Sequence, residues 1–490
     1  MILASLVRRL VPALAVSAIL TLPALAETAA PVPNKGDTAW MIVATAFVLM
    51  MSVPGLALFY GGLVRAKNML SVLTQVFAIV CLAGILWTMV GYSLSFTGGG
   101  GLNDYVGGFS KAFLAGVTPA SNAATFSNGV VIPEYLYFVF QMTFAMITPA
   151  LIIGAFAERM KFGAIMLFTV LWSLLVYYPI AHMVWYWAGP DAIADAAKAV
   201  AAAADAAAKT AAQAKLDEVL ADAGMIFKWG ALDFAGGTVV HINAGIAGLV
   251  GCLIIGKRIG YGKELMAPHS LVMTMIGAAL LWVGWFGFNA GSSLEANGTA
   301  VLAFVNTMVA TCAAALSWLV VEWLLKGKPS LLGMVSGAVA GLVAVTPASG
   351  FAGPVGTMVL GLVSGAVCFA FVSYVKNALG YDDTLDVFGI HCIGGILGAI
   401  ATGILASPDL GGTGIVDYVA KPGEAAAGDF VMATQVMAQL KAVAVTLVWS
   451  GVVSAILFKA IDLVIGLRAA TDEERMGLDI AEHGERAYSN

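Results

Sequence analysis

The chain of 490 residues is 60% hydrophobic and only 11% charged, under half the charge of an average soluble domain. So few charged groups could not cover a water-soluble protein of this length, which excludes a soluble enzyme; no enzyme activity is expected of the chain. With 24 Lys and Arg against 29 Asp and Glu, the chain also lacks the clustered basic surface that nucleic-acid binding needs.

The N-terminus has the form of an address. Arg8 and Arg9 make a short basic region, Leu10–Leu22 is apolar, and Ala24-Leu25-Ala26 fits a small-x-small cleavage site. The expectation is a bacterial signal peptide over residues 1–26, cleaved after Ala26; the polar stretch from Glu27 to Asp37 argues against an uncleaved extra helix.

Eleven apolar segments follow, starting near Thr38, Met69, Glu134, Phe162, Asp233, His269, Thr299, Leu331, Pro354, Thr384 and Val431. Each reads as a membrane-spanning helix, which satisfies its own backbone in lipid. The expected fold is therefore an all-α integral membrane protein over residues 27–467. Arg65/Lys67, Arg159/Lys161, Lys257/Arg258/Lys263, Lys326/Lys328 and Lys376 fall in alternate loops, while Ser292–Gly298 and Ala348–Gly353 carry no Lys or Arg. This bias places the N-terminus outside and the tail, residues 468–490, in the cytoplasm. Residues 190–224 form an Ala-rich insertion in an outer loop, of helical composition but without a strong apolar stripe. The five cysteines (Cys81, Cys252, Cys312, Cys368 and Cys392) all sit in apolar blocks and read as small core residues, not a disulfide framework.

The chain also repeats itself. His241-Ile-Asn-Ala-Gly245-Ile-Ala-Gly248 in the fifth span echoes His391-Cys-Ile-Gly-Gly395-Ile-Leu-Gly398 in the tenth, and each follows an Asp (Asp233, Asp386) near the start of its span. Five spans separate the copies. An odd number reverses direction, so the expected plan is two five-helix inverted repeats plus a final long helix. Ionisable groups inside spans are costly and by default mark a pathway. Asp386, beside Asp382 and Asp383, reads as a helix cap; for Asp233 a cap and a role toward a cation are compatible. His241 and His391 at matching depth could bind a metal, relay a proton or line a conduit. A metal or haem centre needs further ligands at that depth. Cys392 would point to another helix face, so neither metal nor cofactor is expected.

At this point the sequence resembles the ammonium transporters (Amt/Mep/Rh) across nearly the whole mature chain. The carriers are Pro54–Gly62, Ala157-Glu-Arg159, Asp233–Asn243, Gly284–Ser292, Gly327–Gly333 and Asp386–His391, with Gly477-Leu-Asp479 and His483–Tyr488 in the tail similar to bacterial members. The resemblance implies a homotrimer with one pore per subunit. By motif position it implies a twin-histidine lining of His241 and His391 and a phenylalanine gate of Phe144 and Phe288. It also implies a recruitment site for substrate from Trp185, Ser292, Phe144 and Asp233. Trp187, two residues beyond Trp185, leaves open which indole serves the vestibule, and the insertion replaces a loop that is short in many bacterial members.

An indole face and a hydroxyl acceptor suit ammonium. A dry pore passes neutral ammonia far more cheaply than any cation, and ammonium, unlike potassium, can give up its charge as a proton. The expected function is transport of ammonium/ammonia, with methylammonium as analogue, in a bacterial inner membrane among its lipids. The competing class is a sensor of ammonium. The tail's resemblance implies a PII-type (GlnK-like) signal protein as partner at the cytoplasmic face.

Overall fold

A computed structural model describes residues 31–423 and 426–488 of the chain; the expected signal peptide lies outside the described residues. The first span, Lys35–Leu63, starts where Asn34 Oδ1 accepts from the N–H groups of Gly36 (2.6 Å) and Asp37 (3.4 Å), which would otherwise be orphaned. Pro54 lies inside this span. It has no N–H to donate, and the helix widens to a π turn over Met51–Gly55.

The following spans are Ala66–Phe96, Glu134–Phe156, Phe162–Trp185, Gly237–Ile255, Leu271–Gly291 and Gly298–Lys326, then, after a shorter eighth helix, Pro354–Leu379, Phe388–Leu405 and Met432–Ile465. That eighth helix, Leu331–Val345, has 15 residues and a length of about 22 Å. This is less than the roughly 30 Å of hydrocarbon a single helix must cross, and the chain completes the passage in turns from Thr346 to Ala352. The last helix has 34 residues, about 51 Å, and runs along the fourth, fifth and tenth spans.

Glycine sets the closest approach between spans. A Cβ on Gly284 would lie 2.6 Å from the Phe47 carbonyl oxygen, and one on Gly287 would lie 2.4 Å from that of Ala44. The sixth span therefore presents a small-residue stripe to the first, the usual basis of close packing between helices in lipid.

Several basic loop residues gather on one face of the bundle. There Arg65 and Arg258 both reach Glu158 (2.7 and 3.2 Å), and Arg258 also holds Asp382 (2.8 Å). Burial raises the Glu158 carboxyl, but these guanidiniums outweigh it and hold the group below the usual carboxylate range. The same balance, with Arg258 and Arg159 as the cations, lowers Asp382.

The tail is docked onto this basic face. Lys67 Nζ donates to the carbonyls of Glu474 (3.1 Å) and Arg475 (2.5 Å), and Asp479 accepts from the Ser71 N–H (2.7 Å).

On the opposite face the Ala-rich insertion forms two helices, Pro190–Ala201 and Ala206–Ala221. They do share an apolar seam, contrary to the expectation: Ile193, Ala196 and Ala197 close on Leu216. The stripe is built mostly of alanine, which is why it is weak in sequence. Among the cysteines, Cys252, Cys368 and Cys392 are buried but Cys81 and Cys312 are exposed, so the core reading fails for those two, which face outward from their spans.

Candidate functional site

The fifth and tenth spans enter from opposite faces, and each begins on a carboxylate. Asp233 accepts from the N–H groups of Gly236 (2.8 Å), Gly237 (2.6 Å), Thr238 (2.8 Å) and Val239 (3.2 Å), and from the Thr238 hydroxyl. Five donors occupy both oxygens. In the tenth span the matching cap is Asp383, which accepts from Val387 (3.1 Å) and Phe388 (2.8 Å). This corrects the pairing drawn from sequence. Asp386 does not cap; it pairs with Lys376 at a backbone φ of 61°. Asp233 and Asp383 each stand eight residues before their histidine, and that shared offset was the legible signal.

Each cap leads into a π turn, Gly237–Ile242 and Phe388–Cys392, with the histidine next to last. The glycine four residues after each histidine lets the two copies meet. A Cβ on Gly245 would lie 2.4 Å from the Cys392 nitrogen, and one on Gly395 would lie 3.1 Å from the Gly237 carbonyl and 3.2 Å from the His241 Cβ. The H-x-x-x-G spacing is thus a contact device. It brings the rings together, with His241 and His391 Nδ1 atoms 3.3 Å apart and ring centroids at 5.4 Å. Both are buried, at 1% and 5% exposure. A bond between two Nδ1 atoms requires one to donate and the other to accept. His241 Nε2 is buried without a hydrogen-bond partner.

The other expected residues continue the line from His241. Phe288 lies 6.0 Å from it and stacks on Phe144 at 4.2 Å, and Trp185 meets Phe144 edge-on at 5.9 Å. The Trp185 indole N–H donates to the Asp233 carbonyl (3.0 Å), which fixes the ring beside the phenylalanine pair. Trp187 is engaged elsewhere, between Phe227 (5.3 Å), Tyr418 (5.2 Å) and Phe126 (6.1 Å), so Trp185 is the indole beside the phenylalanine pair. Ser292 Oγ donates to the Phe288 carbonyl (2.8 Å), leaving its lone pairs as acceptors.

Beside the histidines runs a narrow cavity of water-molecule width, walled by Met51, Leu56, Phe59, Leu281 and Val339 among others. Its wall is apolar except for the imidazoles, the Trp285 indole and Tyr60. Sequence reasoning missed Trp285, which stacks on His241 at 5.4 Å while its N–H is held by Thr346 Oγ1 (2.9 Å). Residues 285, 288 and 292 share one face of the sixth span by helical spacing, so the signal was present.

The family model for the Ammonium Transporter Family matches residues 39–488. The chain belongs to that family. It is 42% identical to the ammonium transporter of Bacillus subtilis, over 93% of this chain and 99% of the relative. It is 39% identical to ammonium transporter Amt1 of Archaeoglobus fulgidus, over 93% and 100%. Among solved structures, Saccharomyces cerevisiae Mep2 superposes with a TM-score of 0.72 at 31% identity, covering 89% of this chain and 91% of Mep2. A structure titled Sensor Amt Protein superposes at 0.75 with 24% identity, over 91% and 98%, a likeness of fold. Family and fold together make the chain a multi-pass membrane protein.

Proposed function

We propose that the chain transports ammonium by taking the cation at Trp185 and Ser292, removing its proton, and passing ammonia between Phe144 and Phe288 into the cavity lined by His241 and His391. Trp185 supplies a π face and Ser292 a lone pair, a pair of contacts suited to a small cation with N–H donors. The stacked phenylalanines admit nothing that keeps its hydration shell. Beyond them a cation in an apolar wall costs several kcal/mol or more, whereas ammonia crosses at little cost. Potassium, of similar size, has no proton to shed and is rejected by chemistry.

The observation that carries this reading is the direct Nδ1–Nδ1 contact of 3.3 Å between His241 and His391 beside an otherwise greasy cavity. A neutral pair of imidazoles offers ammonia one donor and one acceptor, and a chain of such bonds can move the released proton. Asp233, with both oxygens occupied by its own helix, acts through its field and as a scaffold for Trp185, not as a direct ligand.

The setting follows from charge. In this reading the basic face and the tail lie in the cytoplasm of a bacterial cell, the side that positive residues in short loops favour, the vestibule faces outward, and three copies of the chain form the working unit. The docked tail and basic face offer the surface for a PII-type signal protein. The test is current on a solid-supported membrane after an ammonium pulse. The wild-type protein gives a saturable current, His241→Ala loses it, and equal currents in the two would reject the histidine relay. If both conduct nothing while a PII-type protein still binds in an ammonium-dependent way, the sensor reading takes its place.

A further inference from the structure

Among the described residues, the buried acids fall into two kinds, with one exception. Glu134, Glu158, Glu322, Asp382 and Glu474 each sit against a Lys or Arg. Asp233, Asp383 and Asp479 accept backbone N–H groups at the starts of spans. Glu295 does neither. It is 7% exposed, and among the described residues no Lys or Arg forms an ion pair with it. Its Oε2 accepts from Ser127 Oγ and Asn297 Nδ2, both at 3.1 Å, while its Oε1 is buried without a partner. Burying a carboxylate without a countercharge is unfavourable, a cost that a positive group reaching the site would relieve.

Its place in the fold says which. Glu295 stands three residues beyond Ser292, at the end of the sixth span. The turn between them puts Leu294 at φ 60°, an uncommon conformation for a non-glycine residue, and swings Glu295 under the loop that carries Ser127. The next residue of that loop, Asn128, has a second buried acceptor without a partner, its Oδ1. The Asn128 Nδ2 donates to Asp191 (3.4 Å), whose carboxylate also accepts from the Gly129 N–H (2.7 Å). Asp191 lies in the first turn of the Ala-rich insertion. The unsatisfied groups are thus both acceptors, and the insertion holds one of them. A small cation whose surface consists only of N–H donors answers the charge of Glu295 and the acceptor need of each of these groups.

We propose that Glu295, Ser127 and Asn128 form an outer capture site that takes an ammonium-type cation before it reaches Trp185 and Ser292, and that the insertion, through Asp191, orients Asn128 for it. This rests on the transport reading given above. Glu295→Gln keeps the size and shape of the side chain and removes the charge. In full-length protein reconstituted on a solid-supported membrane, we expect Glu295→Gln to raise the ammonium concentration for half-maximal current about three- to tenfold, the net scale of one hydrogen bond, with the maximal current retained.

Glu295→Ala serves as a second variant, with the same expected direction, should the first not fold. The ratio to wild type persists in concentrated choline chloride, because salt screens a buried contact little. An unchanged half-maximal concentration in either folded variant overturns the capture site, as does a ratio that falls to one in high salt, which would leave only long-range attraction. A wild-type protein without any saturable ammonium current overturns the transport reading itself, so the two failures are told apart.

Discussion

Asp233 shows how a residue's neighbours decide its task. A carboxylate beside the proposed cation vestibule invites the role of ligand, yet each of its oxygens already accepts hydrogen bonds from its own helix start. Asp233→Asn keeps one acceptor and turns the other into a donor facing N–H groups. We expect a loss of about 2–4 kcal/mol of stability, read as a lowered midpoint of thermal unfolding in detergent. A carboxylate that served only the cargo would leave that midpoint unchanged and raise the half-maximal ammonium concentration instead. Trp285 is the counterpart, a buried core residue whose N–H is held by Thr346 and whose indole also stacks on His241. Trp285→Leu is expected to leave the protein folded and cut the ammonium-evoked current severalfold; an unaltered current would show that the stack is packing alone.

At the scale of elements, the working part is the crossing of the fifth and tenth spans. Gly245→Ala introduces a Cβ 2.4 Å from the Cys392 nitrogen, which must push the histidine-bearing turns apart. We expect about 1–3 kcal/mol of destabilisation, together with loss of current. Gly163→Ala is the control: it lies in a helix with nothing within 4 Å of the added Cβ, and it should stabilise by about 0.4–1 kcal/mol. Equal midpoints for the two variants would contradict the contact role of Gly245.

This crossing was largely legible in the sequence, because a repeated H-x-x-x-G is a local pattern and span starts follow hydropathy. The predicted starts at Asp233 and Thr384 fall four residues before the helices at Gly237 and Phe388, because the segment that links each cap carboxylate to its helix is not itself helical. What could not be read was the non-local part. The docking of the tail on Lys67 and Ser71 depends on partners hundreds of residues away, which hydrophobic periodicity does not encode. Asp386 was chosen over Asp383 for the same reason, since three acids in one loop are told apart by what they touch.

The whole molecule is asymmetric in charge, and its basic face is tied together by one connected set of ion pairs. Glu158 and Asp382 are both held below the ordinary carboxylate range. A lowered folded-state value means that the stabilisation is fully present above the unfolded value, about 4 for carboxylates, and is lost as pH falls below it toward the folded value. The unfolding midpoint should therefore be flat through neutral pH and drop below about pH 4. Arg258→Gln, which strips Asp382 of its strongest partner and leaves a buried charge poorly matched, should cost about 3–5 kcal/mol near neutral pH and flatten that acid drop. A variant with the wild-type profile would show that the network adds nothing to stability.

The central claim is that the cargo crosses without its charge, and it can be read in one comparison. Proteoliposomes on a solid-supported membrane receive equimolar pulses of ammonium and of potassium at equal ionic strength. The account predicts a saturable signal for ammonium and none for potassium in the wild-type protein. A potassium signal comparable to that of ammonium would mean that an intact cation passes Phe144, Phe288 and the histidine pair, and would contradict it.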